Sequence, residues 1–208
     1  MVEAAVNAGG RAPRFIAGAL CLDFVNTVAW RGDPARREDR IGRYSDLVHW
    51  ARSADVVSAA DAGKLMAQAE QAPRLAARAL RCAAGLREEL YGLTIDAAGP
   101  LSSPGQLSNL LSRLSGIAVL NVSGDRPLWQ PAGEVPDLRL PLVPVAVSAA
   151  SLLVQNAKER VRGCADPQCG WVFLDETRGR TRLWCSMDDC GNRAKARLHY
   201  RRKVHGSG

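Results

Sequence analysis

The chain has 208 residues, of which 47% are hydrophobic and 24% charged, a composition typical of a globular protein with its own core. No stretch approaches the roughly 18 apolar residues of a membrane span, and the N-terminus lacks the pattern of a signal peptide. We therefore expect a cytoplasmic protein with reduced thiols and no membrane contact. The net charge of +7 favours a polyanion as partner, and residues 158–208 hold most of it, with twelve Lys/Arg against six Asp/Glu.

The residues ahead of the basic segment predict a mainly helical domain, which we place at 13–158. Residues 1–12 are small and polar and are expected to be disordered. The pattern of apolar residues and caps predicts helices over 18–30, 45–51, 53–71, 73–95, 106–116 and 144–161. Ser58 offers a second start for the third of these helices, since it can act as an N-cap.

The clearest amphipathic helix is the one predicted over 73–95. Its apolar face consists of Leu75, Ala79, Cys82, Leu86, Leu90 and Leu93. Further along, residues 117–123 and 127–133 flank a Gly-Asp-Arg turn and predict a small β-hairpin. Cys21 and Cys82 lie among apolar neighbours, so we expect both to be small buried residues.

Four cysteines near the C-terminus predict a metal site. Cys164 and Cys169 form one C-x4-C pair, Cys185 and Cys190 form another, and fifteen residues separate the pairs. This spacing is typical of a structural zinc site, in which four thiolates leave no open position for catalysis. An iron–sulfur cluster, or three cysteines with His199 or His205, are the alternatives.

The segment around the cysteines predicts a compact zinc finger over 159–205, followed by a short tail at 206–208. Trp171, Phe173 and Trp184 favour strands between the two pairs, and an acid-free helical sequence follows Cys190. The order knuckle, hairpin, knuckle, helix resembles a treble-clef finger. In so short a segment, metal binding would replace a hydrophobic core as the source of folding energy.

The basic residues of this finger predict a nucleic-acid surface. Arg193, Arg197 and Arg201 form a stripe on the final helix, and an apolar strip of Ala194 and Leu198 is expected to pack on the hairpin. The full set of predicted contacts is Arg178, Arg180, Arg182, Asn192, Arg193, Lys195, Arg197, Tyr200, Arg201 and Arg202. Arginines of the hairpin would share one face if they lie on a strand. Such a surface fits duplex DNA, although a solvated face, RNA or a protein partner would show the same charges.

Three polar residues interrupt the apolar segment near the N-terminus. If buried, Asp23, Asn26 and Thr27 need hydrogen-bond partners, and they either cap nearby backbone or line a ligand pocket. These residues, together with Arg31, Asp33 and His49, show no nucleophile–base pattern, so we expect no enzyme.

The sequence also resembles a known family. Cys190-Gly191-Asn192-Arg193 is similar to the signature of the CGNR-type zinc finger, and FIAGALCLDFVNT (15–27) and PLVPVAVSAASLL (141–153) resemble the start and end of the ABATE domain. The resemblance implies a bacterial, stress-related transcription regulator with one structural Zn²⁺, held by the four finger cysteines. Its N-terminal domain would sense a small-molecule effector or form a homodimer, and the finger would bind DNA.

Overall fold

The computed structural model describes residues 12–95, 105–123, 126–155 and 157–205. Its α-helices are Leu20–Val25 (α1), Tyr44–Ser53 (α2), Ala59–Gln71 (α3), Pro73–Ile95 (α4), Gly105–Ser112 (α5), Leu114–Ile117 (α6), Val143–Val154 (α7) and Asn192–His205 (α8). Its strands are Val28–Ala29 (β1), Glu38–Asp39 (β2), Ala118–Ser123 (β3), Arg126–Pro131 (β4), Val161–Gly163 (β5) and Val172–Leu174 (β6). The mainly helical class with small antiparallel hairpins is confirmed, whereas residues 1–11 and 206–208 lie outside the described ranges.

Helix α1 is the centre of the core. It packs against α7, α4 and β6, and its residues Leu22, Phe24 and Val25 are almost completely buried. The helix is much shorter than the predicted 18–30 because Asn26 ends it and Trp30 adopts a positive φ of 56°. The chain between them forms β1, which pairs with β2 in the charged segment that follows Trp30.

In the helical hairpin α3–α4, the sequence predicted the limits of α4 correctly but not the start of α3. Helix α4 has the predicted limits, and its buried face includes Ala79, Leu86, Leu90 and Leu93, whereas Leu75 is exposed. The single helix predicted over 53–71 is wrong, since α2 ends at Ser53. Helix α3 starts instead at the alternative cap, where the Ser58 hydroxyl accepts a hydrogen bond from the backbone N–H of Asp61.

The last predicted helix before the finger is also shorter than expected. Helix α7 ends at Val154 rather than continuing to 161, and a 3₁₀ turn over Ala157–Arg160 leads into β5. The predicted hairpin is present as β3–β4, with Val119 opposite Gln130, while its turn residues 124 and 125 lie outside the described ranges. Of the helices described here, none is both long and apolar enough to cross a bilayer.

The finger shares the core of the rest of the chain. Val172 and Phe173 of β6 are fully buried in the same cluster as α1, and the Trp171 indole donates a hydrogen bond to the Val28 carbonyl. The expectation that metal replaces a missing core is therefore wrong, because the finger obtains apolar contacts from the helices before it. Its position relative to those helices is fixed by this packing.

Candidate metal centre and nucleic-acid interface

The four predicted cysteines meet at one point. Their sulfur atoms all lie within 4.8 Å of one another, with 3.7 Å between Cys169 and Cys185 and 3.5 Å between Cys185 and Cys190. Four sulfurs placed tetrahedrally at a Zn–S distance of about 2.3 Å are roughly 3.8 Å apart, so the cluster has the size of a zinc site. His199 is exposed on α8 and does not belong to it, and the side chain of His205 lies outside the described residues.

Local structure brings each cysteine pair to this point. Strands β5 and β6 pair on either side of the first knuckle, where the Cys164 N–H donates to the Trp171 carbonyl. Gly170 closes this knuckle with a φ of +68°, a conformation that glycine adopts without strain. In the second pair, Cys185 precedes a π-helical turn over Met187–Gly191, and Cys190 lies within this turn, directly before α8. The hairpin thus surrounds the first knuckle instead of lying between the two pairs.

The proton chemistry of the cluster also fits a metal. Hydrogen bonds from Cys169 and Cys185 lower the pKa of the Cys164 thiol far below its ordinary value. The corresponding bonds with Cys164 and Cys169 raise the pKa of Cys185 far above it. Four sulfurs within 4.8 Å of one another can all be thiolates only around a cation, because like charges this close repel. Zn²⁺ with four thiolate ligands satisfies this requirement and keeps no open position.

A second layer of residues surrounds the sulfurs. Arg193 donates from Nη2 to the Cys190 sulfur at 2.8 Å and from Nε to the Asp166 carboxylate at 3.1 Å. Arg197 also reaches Asp166, at 3.3 Å, and Asp166 is fully buried inside the first knuckle. Burial opposes the charge on Arg193, but Cys190 and Asp166 outweigh it and raise the pKa of Arg193. Two members of the predicted basic stripe are therefore partly engaged within the protein.

The arginines between the knuckles do not lie on a strand, so the predicted alternation of Arg178, Arg180 and Arg182 is wrong. Arg178 and Arg180 are exposed in a turn, and Arg180 has a φ of 51°. Arg182 points inward, donating to the carbonyls of Ile16 and Cys185 and lying 4.1 Å from the Phe173 ring centroid. Its role here is to join the N-terminal segment to the second knuckle.

Helix α8 projects from the body after its first turn. From Lys195 to Lys203 every residue is exposed, so Leu198 does not pack on the hairpin as predicted, while Ala194 at the base of the helix is half-buried. Leu198 is 51% exposed and Tyr200 68%. Lys195, Arg201 and Arg202 belong to this projecting part, which we call the α8 arm (195–203). Asn192, at its base, is exposed and donates to the Asp188 carbonyl.

Asp23, Asn26 and Thr27 all have partners within the protein. Asp23 accepts from the backbone N–H groups of Ile16 and Ala17, and Thr27 donates to the Phe24 carbonyl. Burial raises the pKa of Asp23 to about 6, against the opposing effect of those N–H groups. The three residues also line a cavity of about 20 Å³, which is the size of roughly one water molecule. Their ligand-binding role remains a prediction.

Two residues connect the zinc site to other elements, and the sequence did not predict this role for either of them. Asp166 is the acid between the first two cysteines, and its position among basic residues is the signal that could have indicated an internal partner. Trp30 lies 4.6 Å from the Arg193 guanidinium, and no local pattern indicates that contact. The Trp30–Asp33 loop packs tightly on the knuckle, where a Cβ at Gly32 would lie 1.8 Å from the Pro167 carbonyl oxygen.

Comparison with known protein families agrees with this geometry. The model of the ABATE family, described as "Putative stress-induced transcription regulator", matches residues 18–156. The model of the CGNR zinc finger matches residues 160–203. A search among curated proteins found no match. The zinc-finger match and the four-cysteine cluster together assign one structural zinc ion to this chain. Neither match is to an enzyme family.

Proposed function

The chain belongs to the ABATE family and carries a CGNR zinc finger, and from this we propose that it is a transcription regulator that binds duplex DNA through the α8 arm. The single observation that carries the proposal is the exposure of this basic arm beyond a metal-anchored base. A major groove of about 12 Å admits one α-helix, and Lys and Arg side chains on such a helix reach phosphates and base edges.

The zinc centre contributes position rather than chemistry to this function. Cys190 lies in the turn that leads directly into α8, and Arg193 and Arg197 hold the first turns of the helix against Asp166. The metal would thus fix the direction in which the arm leaves the body. Arg178 and Arg180, in their exposed turn, form a second set of cations whose contribution is tested separately.

The test is duplex DNA binding as a function of salt, with zinc-loaded protein and a chelator-stripped control. We expect a steep negative slope that depends on zinc, and tighter binding to the region upstream of its own gene than to random duplex. Arg201→Gln and Arg202→Gln should each reduce the slope by about one unit. Arg81→Gln is the matched control, because Arg81 is exposed on α4 and far from the finger in sequence.

An RNA-binding role is the second candidate, and exposed Tyr200 is the observation that favours it. Aromatic side chains stack on unpaired bases, whereas a duplex offers no such contact. Preferential binding of single-stranded RNA, lost in Tyr200→Ala, would replace the DNA proposal. Binding of neither nucleic acid would leave the arm as a protein-docking element.

The N-terminal part would then sense an effector or join two copies of the chain. A regulator that reads paired half-sites needs a dimer with matching two-fold symmetry. Sedimentation of the zinc-loaded protein, alone and with duplex, measures whether two copies assemble. A monomer in both states would exclude the dimer and leave effector sensing as the proposed role.

A further inference from the structure

We propose that Arg193 is an outer-shell partner of the zinc centre, which stabilises the bound metal and transmits metal occupancy to the base of α8. The part about metal binding is independent of DNA. Only the last step, the effect on the arm, rests on the proposed function. The residue is one of the predicted DNA contacts, and its observed partners give it a different role.

Four contacts define the position of the Arg193 guanidinium. It donates to the Cys190 sulfur at 2.8 Å and, from Nε, to Asp166 at 3.1 Å. Its Nη2 atom also lies 3.1 Å from the Asp166 carboxylate, and its centre lies 4.6 Å from the Trp30 ring centroid. The side chain is thus held between a zinc ligand, a buried acid and an aromatic ring, with 35% of its surface exposed.

Charge explains why a cation belongs at this position. Zn²⁺ with four thiolates carries a formal charge of 2−, and a guanidinium in direct contact with one sulfur offsets part of it. Hydrogen bonds to metal ligands also fix their orientation, and loss of such a partner typically weakens metal affinity by about 10–100-fold. Fully buried Asp166 keeps the guanidinium aimed at Cys190, because it binds the Nε edge while Nη2 faces the sulfur.

The same contacts connect the metal to the arm. Arg193 is the second residue of α8, and Arg197, one turn later, shares the Asp166 carboxylate. When zinc leaves, the Cys190 sulfur loses the ion that fixes it beside the other three ligands, and with it the fixed position in which it accepts from Arg193. The first turn of α8 then loses the attachment that runs through Arg193, and the contact between Arg193 and Trp30 is weakened as well.

The test measures metal affinity and sulfur electronic structure rather than DNA binding. Zinc affinity is obtained by competition with a chromophoric chelator for the wild type, Arg193→Gln, Arg193→Lys and the control Arg201→Gln. We expect a 10–100-fold loss in Arg193→Gln, a partial rescue in Arg193→Lys, and no change in Arg201→Gln. Arg201 is a matched control because it is an exposed arginine on the same helix.

Cobalt substitution provides a readout that a purely structural role would not move. Removing the N–H···S hydrogen bond raises the energy of the sulfur lone pairs. The thiolate-to-Co²⁺ charge-transfer band of Arg193→Gln should therefore shift to longer wavelength, with the tetrahedral ligand-field bands retained. Should Arg193→Gln not fold, as judged by far-UV circular dichroism, the same two measurements on Arg193→Lys decide the question, since lysine keeps the charge but not the fork that bridges Cys190 and Asp166.

A double-mutant cycle tests whether Asp166 positions the Arg193 guanidinium. Asp166→Asn should weaken zinc binding in the wild-type background and have a much smaller effect in the Arg193→Gln background, because its action passes through Arg193. Unchanged zinc affinity and an unshifted cobalt band in Arg193→Gln would overturn the proposal, even if DNA binding fell. Conversely, a chain that binds no DNA but shows both effects would keep Arg193 at the metal and remove only the proposed function.

Discussion

Asn26 provides the most direct test of how the two family-matched segments are joined. Its side-chain amide donates to the Val172 carbonyl at 2.8 Å and accepts from the Val172 N–H at 2.9 Å, so one side chain satisfies both backbone groups of a residue 146 positions away. Val172 is fully buried and Asn26 is 4% exposed. Asn26→Ala would leave both of these backbone groups without a partner.

The two unpaired backbone groups of Val172 determine how much stability Asn26→Ala should remove. Each buried polar group left unsatisfied costs about 1–3 kcal/mol, so the free energy of unfolding should fall by about 2–6 kcal/mol. Domains of this kind are stable by about 5–15 kcal/mol, and the loss would be a large part of the total. Since Val172 belongs to the core that α1 shares, far-UV circular dichroism and tryptophan fluorescence should report the same shifted transition.

The assay is urea unfolding of zinc-loaded protein at constant free zinc. The control is Asn121→Ala on the exposed β3–β4 hairpin, where the exposed side chain donates to the side chain of Gln130 and the change should stay within about 0.5 kcal/mol. A loss of unfolding free energy below 1 kcal/mol for Asn26→Ala, or a zinc-finger transition separate from that of the helices, would refute the idea that this side chain joins the finger to the helices.

Three further predictions concern the core and the metal site. Burial raises the pKa of Asp23 to about 6, so the native state binds a proton that the unfolded chain releases above its ordinary pKa. The unfolding free energy of Asp23→Asn, measured relative to wild type, should therefore rise between pH 4 and 6 by about 2–3 kcal/mol and then level off, and a flat difference would contradict the burial argument. Gly170→Ala should weaken zinc binding and destabilise the fold by more than 1 kcal/mol, because φ is +68° and the new Cβ would lie 2.5 Å from the Arg31 Cβ. The control is Gly63→Ala, which lies in open space on α3 and should stabilise the fold by up to about 1 kcal/mol. Cys185→Ser should lower the melting temperature measured from the helical far-UV signal. An unchanged melting temperature would indicate that the finger folds independently of the helices.

The sequence predicted the elements whose signals are local. The limits of α4 follow from a long apolar repeat and Pro73, and the four zinc ligands follow from spacing alone. The start of α3 at Ser58 is also a local effect, since the cap bonds only three residues ahead. In each case the residues that decide the structure lie close together in the chain.

Elements that depend on distant partners were predicted less well. Helix α1 ends at Val25, and the side chain of the next residue, Asn26, bonds to β6, a contact that no neighbour of Asn26 in sequence reveals. Arg182 was expected on a DNA-facing strand, yet its acceptors are the carbonyls of Ile16 and Cys185. Basic residues were assigned to nucleic-acid contacts by charge alone, and Asp166 shows that a buried acid can pair with two of them.

The long-range bond between Asn26 and Val172 also bears on how the chain matures during synthesis. A ribosome delivers α1 early and β6 late, so the central helix lacks one of its packing partners until most of the polypeptide has emerged. Contacts of such high sequence separation also slow folding, because a long loop must close before they form. We therefore expect a product truncated before β6 to expose apolar surface of α1 and to be cleaved by proteases more readily than the 208-residue chain.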